Sequence, residues 1–209
     1  LVEAKLLAQR LNAGALPVPI ELISQQTVGP ALGKISLQKS LLAGLIGIII
    51  VILFMILFYR LPGLIASLAL IIYALVNAAI FEAWPITLTL SGIAGFILSI
   101  GMAVDANVLI FERTKEELRN GKPLGSAIEE GFAGAWSSIK DSNVSSLITC
   151  VILFWFGSTL IKGFAVTLAI GILISMFSAI TITRTFLRLA VGKYLANHPW
   201  LIGIKLKKE

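Results

Sequence analysis

GMAVDANVLIFERTKEEL, residues 101–118, sets one aspartate, Asp105, inside a run that otherwise reads as the interior of a membrane-spanning helix. The apolar residues before it and the charged FERTKEEL after it give the run a direction: a buried stretch, then an exit into water. A bilayer core about 30 Å thick takes about 20 apolar residues of helix to cross, because lipid offers no partner for an unpaired backbone group. Five stretches of the chain meet that length, at residues 41–59, 62–81, 86–111, 142–161 and 163–183. The fold expected is therefore all-α, a five-transmembrane-helix bundle.

Composition agrees. Of the 209 residues 57% are hydrophobic and 13% charged, and the mean hydropathy is +0.95, well to the apolar side of a soluble domain. The lone Cys150 excludes a disulfide within the chain and a cysteine-rich metal site. The net charge of +6 is better explained by membrane topology than by nucleic acid, because of where the basic residues lie. Arg60, Arg113, Lys115, Arg119, Lys122, Lys140, Arg184, Arg188, Lys193, Lys205, Lys207 and Lys208 all fall on one side of a five-span arrangement, while the opposite short loops hold only Glu82 and Lys162. The excess of lysine and arginine in short loops places the long connection and the C-terminus in the cytoplasm and the N-terminus outside.

Residues 1–40 have another texture. EAKLLAQRLNAG (3–14) reads as a helix stopped by Gly14, and PVPIELISQQTVGPALG (17–33) as an extended strand closing on a Gly-Pro turn. Together they read as the trailing edge of an extracytoplasmic domain, with no signal peptide at the start. The transmembrane domain follows at residues 41–188 and a basic cytoplasmic tail at 189–209. Pro62 and Pro85 suit the first turns of the second and third spans. Between the third and fourth spans, KEELRNGKP (115–123) continues the third helix to an Asn-Gly turn. Leu124, Ile128, Gly131, Phe132, Ala135, Trp136 and Ile139 then recur at helical spacing opposite Ser126, Glu129, Glu130 and Ser137, which predicts a cytoplasmic amphipathic helix over 124–139 packed under the bundle. The acidic polar face disfavours a helix lying on anionic lipid.

A charged aspartate at mid-span costs about 2.5–3.5 kcal/mol on insertion scales, so Asp105 is expected to face the bundle, a partner or a water cavity rather than lipid. Apolar surroundings favour the neutral form of any carboxyl, which lets such a group take up and release a proton where water reaches it. Leu98, Met102, Leu109 and Glu112 share the face of Asp105, whereas Asn107 points to the opposite side. Asn77, Asn107 and Thr149 are read as polar residues at helix interfaces. For Glu112 and Arg113, cytoplasmic anchoring and a functional role weigh equally, and Arg184 reads as a cytoplasmic anchor. Asp141 reads first as a helix N-cap at the start of the fourth span, next to Asn143. No enzyme, metal site or cofactor is indicated: GMAVD lacks the Gly-x-Gly-Asp arrangement of an intramembrane aspartyl protease, His198 is the single histidine, and no phosphate loop is present.

TVGPALG (27–33), LTLSGIAGFILSIGMAVDANVLIFERTKEEL (88–118), KDSNVSSLIT (140–149) and IKGFAVTLAIGILISMFSAITITR (161–184) together resemble successive motifs of the SecD family of protein-export subunits. The resemblance covers residues 15–190. It implies half of a pseudo-symmetric exporter-type membrane domain, whose first span and most of whose extracytoplasmic domain lie outside this chain. It also implies a second half, SecF, separate or fused, with a proton path between the halves. Asp105 takes the place of the family's relay aspartate, and Asp141 and Asn143 fall in its fourth-span motif. The further partners implied are the SecYEG channel, YajC, the lipid bilayer and a translocating polypeptide, in a bacterial or archaeal cytoplasmic membrane, driven by the proton motive force. A proton-coupled small-molecule exporter of the same superfamily and a passive scaffold for the translocase are the competing readings.

Overall fold

The computed structural model describes residues 2–12, 30–84 and 86–190. The chain divides into two compact units, Leu1–Ile35 and Ser36–Glu209. In the first, helix α1 (Val2–Asn12) forms as its sequence predicts. The strand expected over 17–33 falls largely outside the described residues; its last residues, 30–33, are helical and open α2.

Helix α2 (Pro30–Ala83) is broken once, at Arg60, where φ is 51° and ψ −115°. A side chain at positive φ costs of order 1–3 kcal/mol and persists only where its surroundings enforce it. Here the chain doubles back. Ile48, Val51 and Ile52 of the first arm pack in the same cluster as Leu70 and Tyr73 of the second, and Met55 and Tyr59 share another with Ile65 and Ala66. Gly63 permits the turn, because a Cβ there would lie 1.9 Å from the Met55 carbonyl oxygen. Pro62 opens the returning arm, as expected.

Helix α3 (Leu90–Arg119) begins four residues later than the predicted span. Its cap explains the shift: the Thr89 hydroxyl accepts a hydrogen bond from the Gly92 N–H at 3.1 Å, satisfying a donor that the first turn leaves free. Pro85, expected in the first turn of the third span, lies outside the described residues. The predicted Asn-Gly stop holds, with Asn120 as C-cap and Gly121 at φ 84°. Lys122 in that turn bridges Glu117, at 2.7 Å, and Glu130. Those hydrogen bonds, to Glu117 first, raise the lysine pKa, so the bridge is intact at neutral pH and is lost only as pH rises through the raised value.

Helix α4 (Leu124–Phe156) corrects the sequence reading. Residues 124–139 do not form a separate amphipathic helix; they are the first half of a helix that runs on through KDSN into the apolar stretch. Ala127, Ile128, Gly131, Phe132, Ala135 and Ile139 are buried, and Gly131 sits so close to α3 that a Cβ would lie 2.8 Å from the Thr114 backbone. After a break at Gly157 and Ser158, helix α5 (Thr159–Phe177) passes through a π-helical segment (Ser178–Thr183) into α6 (Arg184–Ala190).

The closest packing is between α3 and α5. The Thr167 hydroxyl reaches across to the Gly92 carbonyl at 2.8 Å, and a Cβ on Gly95 would lie 2.6 Å from the Phe164 carbonyl oxygen. Lower down, the Ser99 hydroxyl donates to the Phe96 carbonyl at 2.6 Å, which leaves its lone pairs to accept from the Tyr73 hydroxyl at 2.7 Å. Small residues thus bring three helices together at one level, with polar groups paired where lipid offers no alternative.

Candidate functional site

Asp105 sits on α3, about 22 Å along its axis from Leu90 at 1.5 Å per residue. The buried residues of α3 include Ile100, Ala103, Ala106, Asn107, Ile110 and Phe111. Asp105 lies on the other side. Ala94, Leu98, Gly101 and Asp105 are exposed in this chain and follow one another at helical spacing, forming an uncovered stripe that half-buried Val108 and Leu109 separate from exposed Glu112. Of the destinations expected for Asp105, the interior of its own bundle is therefore not the one taken. No ion pair to Asp105 is formed among the described residues.

Asn107 points inward as the spacing predicts, 5% exposed, with its Nδ2 donating to the Ala103 carbonyl at 3.2 Å. Asn77 is fully buried and donates to the Tyr73 carbonyl at 2.9 Å. The Oδ1 of each is covered and has no donor among the described residues. Both amides are buried, and both bond within their own helix. Thr149 departs from expectation: it is exposed and its hydroxyl donates to the Ser145 carbonyl at 3.1 Å within α4. Asp141 also departs. Because α4 begins at Leu124, Asp141 lies mid-helix and caps nothing; it is exposed, 3.9 Å from the Lys140 ammonium. Asn143, two residues on, is buried, so the structure does not group it with Asp141 or with the Asp105 stripe.

At the end of α3 the local pairs expected of an interface are present, Lys115 with Glu112 at 3.0 Å and Arg113 with Glu116 at 2.9 Å. Lys115 also stands 4.3 Å from the centre of the Tyr59 ring, a cation–π contact that ties α3 to the bend of α2. Arg184 and Arg188 both pair with Glu129 of α4. Sequence spacing offers no sign of this latch, since its partners are 55 and 59 residues apart. All three side chains are more than a third exposed or close to it, and such pairs contribute about 0–1 kcal/mol each. Glu129→Gln is thus expected to lower the thermal unfolding midpoint by only a few degrees, with the difference shrinking as salt is added; a thermal melt at low and high ionic strength measures it.

Four helices among the described residues are long and apolar enough to cross a membrane, one of them broken at Arg60. They define an α-helical membrane domain. The family described as "Protein export membrane protein SecD/SecF, C-terminal" matches residues 10–193. The chain belongs to the SecD/SecF family of protein-export membrane proteins. It is 57% identical to the protein translocase subunit SecD of Thermobaculum terrenum over 206 residues, 97% of this chain and 40% of that one. It is likewise 57% identical to SecD of Synechocystis over 185 residues, 88% of this chain and 39% of the relative. The crystal structure of SecDF, a translocon-associated membrane protein from Thermus thermophilus, superposes with a TM-score of 0.79 at 39% identity, covering 95% of this chain and 27% of that one. The chain spans about two fifths of the length of these SecD relatives.

Proposed function

We propose that this chain is the membrane-embedded half through which a SecD subunit couples proton movement to polypeptide export, with Asp105 as its proton relay. The observation that carries the proposal is the uncovered stripe on α3. A mid-span carboxylate that forms no ion pair among the described residues, on a face of Ala94, Leu98 and Gly101, needs an opposing surface to keep it from lipid. A SecF half supplies that surface and, between the two faces, a route for protons. The bend at Arg60 makes α2 two crossings, giving five spans with the N-terminus outside and the C-terminal tail of 189–209 in the cytoplasm. Residues 1–40 then lead to the extracytoplasmic domain that engages the exported polypeptide, beside SecYEG and YajC. Asp141 and Asn143 are assigned no more than a supporting part in the relay.

Cysteine cross-linking tests the assembly. A cysteine at Leu98 in the full-length protein is expected to form a disulfide or short-linker cross-link with cysteines scanned along the membrane helices of SecF. A cysteine at Leu75, 63% exposed on the second arm of α2, is expected to react far less. Cross-linking from Leu75 alone would show that another face of the bundle meets the partner.

A further inference from the structure

A cavity of about 380 Å³ opens between α3, the first half of α4 and the π-helical segment, its walls including Ile110, Phe132, Trp136, Ala179 and Arg184. It lies apart from the proposed SecF face, because Ile110 is five residues beyond Asp105 and so about 140° around α3. Its size falls within the range that holds small ligands, and its lining joins two chemistries. Ile110, Phe132 and Ala179 make an apolar trough. Arg184 supplies a cation, its guanidinium carbon 5.8 Å from the centre of the Phe132 ring.

Two cations meet one carboxylate at Glu129. Arg184 and Arg188 share the single carboxylate of Glu129, which leaves one positive charge beyond what that carboxylate neutralises. The Nε of Arg184 is buried and has no acceptor among the described residues. Trp136 stands on the cavity wall, 36% exposed, and its indole is an amphipathic group of the kind that settles at the boundary between lipid tails and headgroups.

We infer that this cavity holds an anionic phospholipid, an acyl chain lying in the trough against Phe132 and Ala179 and the phosphate on the Arg184 guanidinium. A free anion would have no use for the trough. A zwitterionic lipid brings its own cation to a site that already carries surplus positive charge. The inference requires only that the Arg184 end of the bundle lies at a membrane surface, whichever surface that is, and it does not depend on proton transfer by Asp105.

Trp136 is its own probe. Full-length protein with SecF is placed in vesicles doped with either brominated-chain phosphatidylglycerol or brominated-chain phosphatidylcholine, and the Trp136 signal is isolated by subtracting the spectrum of the Trp136→Phe protein. Half-maximal quenching is expected at a roughly fivefold lower fraction of the anionic lipid, the preference that one basic residue at a membrane surface supplies. Arg184→Gln removes that preference. Ala133→Leu, which fills the trough from an exposed position and alters no charge, weakens quenching by both lipids. Equal quenching by the two lipids in the unaltered protein overturns the inference, as does quenching by both lipids that survives Ala133→Leu undiminished, whether or not Arg184→Gln folds.

Discussion

A leucine at Gly171 is expected to prevent α3 and α5 from closing on each other. A Cβ at that position would lie 2.2 Å from Ser99 Oγ, 2.3 Å from Ser99 Cβ and 2.9 Å from the Tyr73 hydroxyl. Ser99 is fully buried and Tyr73 is 1% exposed, so neither can swing into solvent. The whole side chain must be accommodated by parting helices or by breaking the Tyr73–Ser99 hydrogen bond. Overpacking a dense interior costs about 1–3 kcal/mol, and a buried hydrogen bond lost without replacement adds about 1–3 more. The variant should therefore be destabilised by roughly 2–6 kcal/mol, read as a large fall in the unfolding midpoint of the purified protein in detergent. Gly101→Leu is the matched control. Nothing among the described residues lies within 4 Å of a Cβ built on Gly101, and leucine is a better helix former than glycine by roughly 1 kcal/mol, so this domain should lose no stability. Because Gly101 lies on the uncovered stripe beside Asp105, the same substitution should instead weaken association with SecF. Equal damage to stability at both glycines would contradict the packing described.

Asp105→Asn is expected to separate function from folding. Asp105 is exposed and makes no ion pair among the described residues, so the amide breaks no ion pair among them. Its cost to stability should lie within the roughly 0.5 kcal/mol typical of a surface substitution, and the complex with SecF should still form. What asparagine cannot do is gain or lose a proton. A charge moved through the membrane potential carries about 2.3 kcal/mol per 100 mV, whereas carrying a two-state element from 1:99 to 99:1 takes about 5.5 kcal/mol. One relay carboxylate therefore supplies a large share of the bias needed for a conformational cycle, and its loss should leave export at the level seen without a gradient.

Helical periodicity made much of this legible. The same 3.6-residue period that assigned residues 101–118 to a helix placed Asp105 and Asn107 on different sides of it, as they are found, and Pro62 after Arg60 marked where α2 reverses. What sequence could not give were relations between distant elements. Glu129 reads as one more polar residue on an amphipathic face, because Arg184 and Arg188 meet it only after α5 and the π-helical segment have brought them back. The polar run KDSN was misleading for a physical reason: Asp141 suits a helix N-cap, yet an exposed position mid-helix with Lys140 beside it also accommodates aspartate, and local chemistry does not choose between them. Thr149 illustrates the same ambiguity, since a threonine can satisfy its hydroxyl on its own helix as readily as across an interface. Asp105 itself marked where to look, as a charge too costly for lipid, but not which surface would cover it.

The central claim is that Asp105 carries the proton that drives export, and the most direct test is gradient-dependent export itself. Full-length wild-type and Asp105→Asn proteins, each assembled with SecF and the SecYEG channel in vesicles, are compared for completion of polypeptide translocation with and without an imposed proton gradient. The wild-type complex should be stimulated by the gradient, and the asparagine variant, assembled to the same extent, should not respond to it. Undiminished stimulation in the variant would reduce this bundle to a scaffold and contradict the account.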